Sequence, residues 1–330
     1  MKIVCITPIK HLNGLLEKMR TYGTVVYKPE ITKNELVQLL ENDKKINCIF
    51  CNPNKQNYML DKFVLSNSSV RVIHTASTGL NHIDLDICKK FNIKIVSLTN
   101  DFDLIEKLPS TSELSFGIML CLLRKIPQSF DAVKLGYWDY EPFIGHELAS
   151  LKVGIVGYGR LGKIMAHYCN AFGMKVYVCD PYKQVSDYSK ISLKEVAKLC
   201  HVISLHVHVS DNTKYMINKD FISLMNKKPF IINTSRGEIV REKDIILGLK
   251  SGKISGYGAD VIEDEFGETT RSPILQGVKE GYNIVVTPHI GGMTWEGQYR
   301  AWSYAIRKFS YIRNYLDGKT KELTIECELN

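Results

Sequence analysis

The stretch VGIVGYGRLGKIMAHYCNAFGMKVYVCDPY, residues 153–182 of a 330-residue chain, decides the fold. The run LKVGIV predicts a strand, LGKIMAHYCNAFG a helix stopped at Gly173, and KVYVCD a second strand ending at Asp180. Gly157, Gly159 and Gly162 then occupy the strand-to-helix turn in GxGxxG spacing. The first glycine permits the tight turn, the second lets a pyrophosphate approach the backbone, and the third lets the helix pack on the sheet. The helix start presents the backbone groups of Arg160 and Leu161, with the positive end of the helix dipole, to phosphates. Asp180, eighteen residues beyond Gly162, is spaced to accept ribose hydroxyls, and its charge repels a 2′-phosphate. The unit therefore predicts an NAD site in preference to NADP, with Lys183 as a nearby opposing charge.

Upstream, KIVCIT, TVVYKP, NCIFCNP, RVIHTAS and IKIVSL are strand candidates that alternate with helical patterns, so a parallel sheet covered by helices is expected. A polar stretch at 99–109 separates them from TSELSFGIMLCLLRKI, a helix apolar on nearly every side. Such a helix is expected to be buried against its own domain and against a partner subunit. Residues 136–151, with Tyr137, Trp138, Tyr140 and Phe143, lead from it into the glycine loop. Near the end, Trp302, Ala305, Ile306, Phe309, Ile312 and Leu316 form one apolar helical stripe that must pack on something. A chain of this length predicts two domains.

The net charge of +8 is scattered, without the dense basic run of a nucleic-acid or membrane patch, so small ligands are expected and neither of those partners is. The opening MKIVCITPIK carries too short an apolar run for a secretory signal, and a cytoplasmic location is expected. Nine cysteines fit reduced thiols better than a disulfide framework. Cys48 and Cys51 have CxxC spacing, but on a buried strand residues three apart face opposite sides of the sheet, which makes them core residues. His206 and His208 share a strand face, yet no carboxylate or cysteine completes a metal site beside them, and no metal is expected.

Three later strands carry the chemistry. PFIIN leads to Arg236, GYGADV ends at Asp260 and is followed by Glu265, and NIVVTP leads to His289. Ligands of doubly wound sheets bind beyond the carboxyl ends of the strands, so these charged groups should converge on the dinucleotide rim. His289 titrates near neutrality and can pass a proton to and from a carbonyl oxygen. Glu265, bonded to the imidazole, would fix its tautomer and favour its protonated form. Arg236 offers a planar set of donors for a carboxylate.

With STGLNHIDL (77–85), STSELSFGIMLCLLRKIP (110–127), GYGRLG (157–162), INTSRGEIV (232–240), GADVIEDE (258–265) and TPHIGGMTWE (287–296), the chain resembles the D-isomer-specific 2-hydroxyacid dehydrogenases, which include 3-phosphoglycerate, D-lactate and glyoxylate-type enzymes. The resemblance implies two doubly wound, Rossmann-like parallel-sheet α/β domains. An NAD-binding domain, residues 106–297, is inserted into a flavodoxin-like substrate domain made of 1–105 and 298–330. It implies NAD as cofactor and interconversion of a D-2-hydroxy acid and its 2-oxo acid, with a phosphorylated biosynthetic acid such as 3-phosphoglycerate among the substrates. Arg236, Glu265 and His289 match the family's substrate arginine, relay glutamate and acid/base histidine. Thr234, Ser235, Arg236 and Asp260 would border the nicotinamide, and Thr78 and Gly79 would offer amides to the substrate carboxylate. A homodimer through the middle domain is implied as well. Asn81 and Ser77 depart from the family's usual acidic residue and glycine, Phe266 replaces a proline, and His208 stands where a proline is usual. Alternative readings are a phosphite or, against Glu265, a formate dehydrogenase, and an NAD-binding corepressor-like scaffold.

Overall fold

The computed structural model describes residues 1–53, 55–266 and 271–323. The chain divides into two compact units, 1–108 with 294–330, and 109–293.

The first unit holds five parallel strands, β1 (Lys2–Cys5), β2 (Thr24–Tyr27), β3 (Cys48–Cys51), β4 (Val72–Thr75) and β5 (Lys94–Val96), in the order β2-β1-β3-β4-β5. This is the flavodoxin-like order. Each face of the sheet has its own apolar cluster, and β3 shows why both are needed: Cys48 belongs to one and Cys51 to the other. Both thiols are fully buried, and burial pushes both pKa values up, as befits core residues. The apolar stripe of the C-terminal helices Trp295–Arg307 and Phe309–Leu316 packs here, with Trp302, Ile306 and Phe309 against Ile3, Phe50 and Val72. The tail shares that sheet face with the helix Leu15–Arg20, whose Leu15, Leu16 and Met19 belong to the same cluster. Two polar ties reinforce the packing of the tail. Buried His74 reaches Val96 O at 3.0 Å and Ala305 O at 2.8 Å, and Lys308 pairs with Asp101, both almost wholly buried.

The second unit holds seven parallel strands: β6 (Lys152–Val156), β7 (Lys175–Cys179), β8 (Ser189–Lys190), β9 (Val202–Leu205), β10 (Phe230–Asn233), β11 (Gly256–Ala259) and β12 (Ile284–Val286). Their order is β12-β11-β10-β9-β6-β7-β8, the dinucleotide-binding arrangement with one added strand. The order reverses direction between β6 and β9, which opens a crevice at their carboxyl ends. The helix Ser110–Leu123 contributes Phe116, Ile118, Met119 and Leu122 to the core over one sheet face, and only Glu113 in it is exposed. Its all-round apolar character is thus largely met inside its own unit. The exposed apolar surface falls instead on the residues that follow, with Phe130 63%, Leu135 76%, Trp138 91% and Tyr140 83% exposed.

Candidate active site

The glycine loop connects β6 to the helix Arg160–Ala171. Gly157 has φ +92°, and a Cβ there would lie 2.4 Å from His206 O, so no other residue fits. A Cβ on Gly162 would lie 2.0 Å from Gly157 O, which gives the third glycine its packing role. Gly159 differs: a Cβ there would meet no protein atom within 4 Å, so the room it leaves is room for a ligand. Gly159 caps the helix without a side-chain hydrogen bond, and the amides of the first turn, Leu161 among them, face the loop without a side-chain cap. At the end of β7, the Asp180 carboxylate accepts the amides of Tyr158 at 2.8 Å, Tyr182 at 2.9 Å and Lys183 at 3.1 Å. Partial burial would raise its pKa, but these three amides and the Lys190 charge outweigh that and hold it below the ordinary value. Asp180 is therefore an anion.

Beyond β10, β11 and β12 the structure brings three of the expected residues together. His289 Nδ1 is hydrogen-bonded to Glu265 Oε1, which leaves Nε2 for another partner. Burial of the imidazole lowers its pKa, while the hydrogen bond and charge of Glu265 and the charge of Asp260 raise it more; Arg236 opposes them, and the net direction is up. Arg236 donates to its neighbour Ser235 O at 2.6 Å and forms no ion pair among the described residues.

The supporting contacts extend beyond the residues that motif reading singles out. Asn233, at the end of β10 and fully buried, accepts Ser235 N at 3.1 Å and donates to Arg236 O at 2.9 Å, closing the turn that presents Arg236. Thr234 is tied through its hydroxyl to Ser115 at 2.6 Å, and Ser235 Oγ donates to Leu205 O at 2.7 Å. Asp260, 2% exposed, accepts Thr287 Oγ1 at 2.5 Å, Ile290 N at 2.8 Å and Gly291 N at 2.7 Å. Its local partner is thus the turn that carries His289. Thr78 and Gly79 lie in the first unit, in the loop after β4, and among the described residues their amides donate to no protein atom. His206 is engaged with Ser204 Oγ at 2.8 Å, and no three His, Cys, Asp or Glu side chains among the described residues gather as a metal site.

Residues 116–291 match the D-isomer specific 2-hydroxyacid dehydrogenase NAD binding domain, and residues 5–102 match the catalytic domain of the same family. The chain belongs to the D-isomer-specific 2-hydroxyacid dehydrogenases. It is an NAD-dependent D-2-hydroxyacid dehydrogenase by that membership. It is 33% identical over 244 residues to an aromatic 2-oxoacid reductase of Clostridium sporogenes, covering 70% of this chain and 72% of that protein. It is 29% identical over 328 residues to a D-3-phosphoglycerate dehydrogenase of Methanocaldococcus jannaschii, covering 98% of this chain but 59% of that longer protein. Among solved structures, the D-lactate dehydrogenase of Aquifex aeolicus in complex with NAD and lactic acid matches at TM-score 0.75 and 28% identity over 96% of each chain.

The dehydrogenase's own residues fit the dinucleotide. The open space at Gly159, the uncapped helix start and the ionised Asp180 supply a phosphate approach and a hydroxyl acceptor. Asp180 Oδ1 accepts two of the amides, those of Tyr182 and Lys183, whereas Oδ2 accepts only that of Tyr158 and keeps a lone pair for a ribose hydroxyl. Among the described residues, no helix is long and apolar enough to cross a membrane.

Proposed function

We propose that the protein interconverts a D-2-hydroxy acid and its 2-oxo acid at Arg236, Glu265 and His289. The observation that carries this reading is the His289–Glu265 hydrogen bond through Nδ1, beside an arginine with no acidic partner among the described residues. NAD supplies or accepts the hydride. In reduction, Nε2 of the His289 imidazolium gives its proton to the substrate's carbonyl oxygen as that oxygen gains charge, and in oxidation the neutral imidazole takes the hydroxyl proton back. Glu265 stabilises the imidazolium and fixes the tautomer. Arg236 takes the substrate carboxylate by paired, charge-assisted hydrogen bonds. Gly157, Gly159, Arg160, Leu161, Gly162 and Asp180 hold the adenosine and pyrophosphate end, with Thr234, Ser235 and Asp260 at the nicotinamide end. Thr78 and Gly79 of the first unit are assigned to the substrate carboxylate.

The unit matched by the NAD-binding family domain takes the cofactor role, and the unit built on β1–β5 the substrate role. The exposed arm of Phe130, Leu135, Tyr137, Trp138, Tyr140 and Ile144 is covered by a second copy in a homodimer, since a run of large apolar side chains this exposed is uncommon in a monomer. The substrate is a small 2-oxo acid, with a phosphorylated three-carbon acid such as 3-phosphohydroxypyruvate as the first candidate, supported by the match along 98% of this chain to a phosphoglycerate dehydrogenase.

The test is NADH consumption with glyoxylate, pyruvate, hydroxypyruvate, 3-phosphohydroxypyruvate, phenylpyruvate and 2-oxoglutarate, with chiral analysis of the product. A preferred acid reduced to its D-hydroxy product is expected, and preference for 3-phosphohydroxypyruvate supports the first candidate. Protein that binds NADH but reduces none of them would argue against the reading.

A further inference from the structure

We propose that Glu242 is a positioning residue for Glu265, its single carboxylate clasping both ends of the segment on which Glu265 is carried. The proposal rests on the roles given above to Glu265 and His289.

Glu265 stands on the connection between β11 and the helix Pro273–Lys279, and its residues 261–266 form neither helix nor strand. A side chain on such a segment is carried by no regular element, so its aim depends on what grips the segment as well as on the partners of the side chain itself. Glu242 opens the helix Glu242–Lys250 and is 2% exposed. Its Oε1 accepts the amide of Glu263 at 2.8 Å, two residues before Glu265, and its Oε2 accepts the hydroxyl of Ser272 at 2.7 Å, seven residues after. One planar group thereby fixes the separation of the two ends.

The grip is reinforced from both sides. Glu263 Oε2 accepts the Glu242 amide at 3.4 Å, so the two glutamates exchange backbone donors, and Glu263 Oε1 accepts the Tyr215 hydroxyl at 2.5 Å. A Cβ on Gly237 would lie 1.9 Å from Ile262 O, so the turn bearing Arg236 touches the segment bearing Glu265 backbone to backbone. The clasp therefore sets Glu265 relative to Arg236 as well as to His289.

A buried carboxylate without a cation is costly unless donors satisfy it. Burial pushes the Glu242 carboxyl up, the Ser272 hydroxyl and Glu263 amide pull it back, and the Glu263 charge pushes with burial. Tyr257, which lies within reach of that charge, is itself held protonated by burial. Surface chemistry gives no reason for a glutamate in such a place, whereas holding an irregular segment does.

The experiment compares Glu242→Ala, Glu242→Gln and Ser272→Ala in the full chain, measuring kcat/KM for 2-oxo acid reduction against pH, with NADH binding and thermal unfolding alongside. The charged groups around the His289 imidazole are Glu265, Asp260 and Arg236, so a misplaced Glu265 removes its main support for the protonated form. Glu242→Ala is expected to lower kcat/KM about tenfold or more and to move the alkaline limb to lower pH. Glu242→Gln, whose oxygen still accepts the Glu263 amide and whose NH2 can donate to Ser272 Oγ, is expected to restore both. Ser272→Ala, which opens one end of the clasp, is expected to move the limb part of the way and decides the matter should Glu242→Ala fail to fold. Lower activity or melting temperature with the pH limb unmoved in Glu242→Ala, or in Ser272→Ala in its place, would overturn the proposal. A limb that Glu265→Ala itself leaves in place would overturn the underlying reading of Glu265, and the clasp with it.

Discussion

The Asp260 carboxylate accepts the backbone amide of Gly291 at 2.7 Å and that of Ile290 at 2.8 Å, so the residue that follows β11 holds the turn on which His289 sits. His289 has φ +53°, a left-handed conformation that a side-chain-bearing residue keeps only when its surroundings enforce it.

Asp260→Ala removes the acceptor for two amides and the Thr287 hydroxyl, and the turn is expected to relax. The cost in stability is about 1–3 kcal/mol for each donor left buried without a partner, read by urea unfolding. Turnover should fall on the order of a hundredfold as the imidazole leaves its place, read as kcat/KM at constant NADH. Wild-type turnover in a folded Asp260→Ala protein would show that the turn holds His289 unaided.

The raised pKa of His289 is expected to set the pH dependence. On the proposed assignment of proton transfer to His289, reduction needs the imidazolium, so its rate is expected to decline as pH rises through the raised value, while oxidation gains over the same interval. The linked stability has the same sign: the His289–Glu265 pair contributes fully below the unfolded value near 6.5 and is lost as pH rises through the folded one. Glu265→Gln should move the alkaline limb of reduction to lower pH, and an unmoved limb in a folded variant would detach Glu265 from the proton.

Three backbone amides hold Asp180 ionised, and in the proposed cofactor site that charge would repel the 2′-phosphate of NADP while its free lone pair accepts a ribose hydroxyl. Asp180→Ser should weaken NADH and narrow its advantage over NADPH by about ten- to a hundredfold, the worth of one hydrogen bond to a charged group. The ratio of kcat/KM for the two cofactors is the measurement, and an unchanged ratio would remove Asp180 from the choice.

The parts of this fold that are legible in the sequence are those governed by short-range pattern. GYGRLG between a strand and a helix, with Asp180 at the next strand end, is a local signal, and Arg236, Glu265 and His289 follow from their places after strands. Contacts between residues distant in the chain leave no such mark. Glu242 reads as an ordinary acidic helix start, although its partners lie 21 and 30 residues away, and His74 gives no hint of Ala305 O, 231 residues on. The helix Ser110–Leu123 shows the limit of composition. Its many apolar sides are largely covered by the sheet, the helix Arg160–Ala171 and their neighbours, and the uncovered surface begins just after it.

That uncovered surface has its own test. Trp138, 91% exposed, is expected to be an anchor of the homodimer contact. Trp138→Asp should weaken dimerisation by about 30-fold or more, the effect of losing an anchor worth 2 kcal/mol or above, and sedimentation across protein concentration would reveal it. A wild-type protein that sediments as a monomer at every concentration would leave the arm without this role.

The most direct measurement is the rate of NADH consumption with the preferred 2-oxo acid for wild type and His289→Ala, both first shown to bind NADH. A loss of about 10²–10⁴-fold in kcat, with NADH affinity retained, is expected for removal of the general acid. Turnover by His289→Ala within a few-fold of wild type would contradict the assignment of proton transfer to the His289–Glu265 pair.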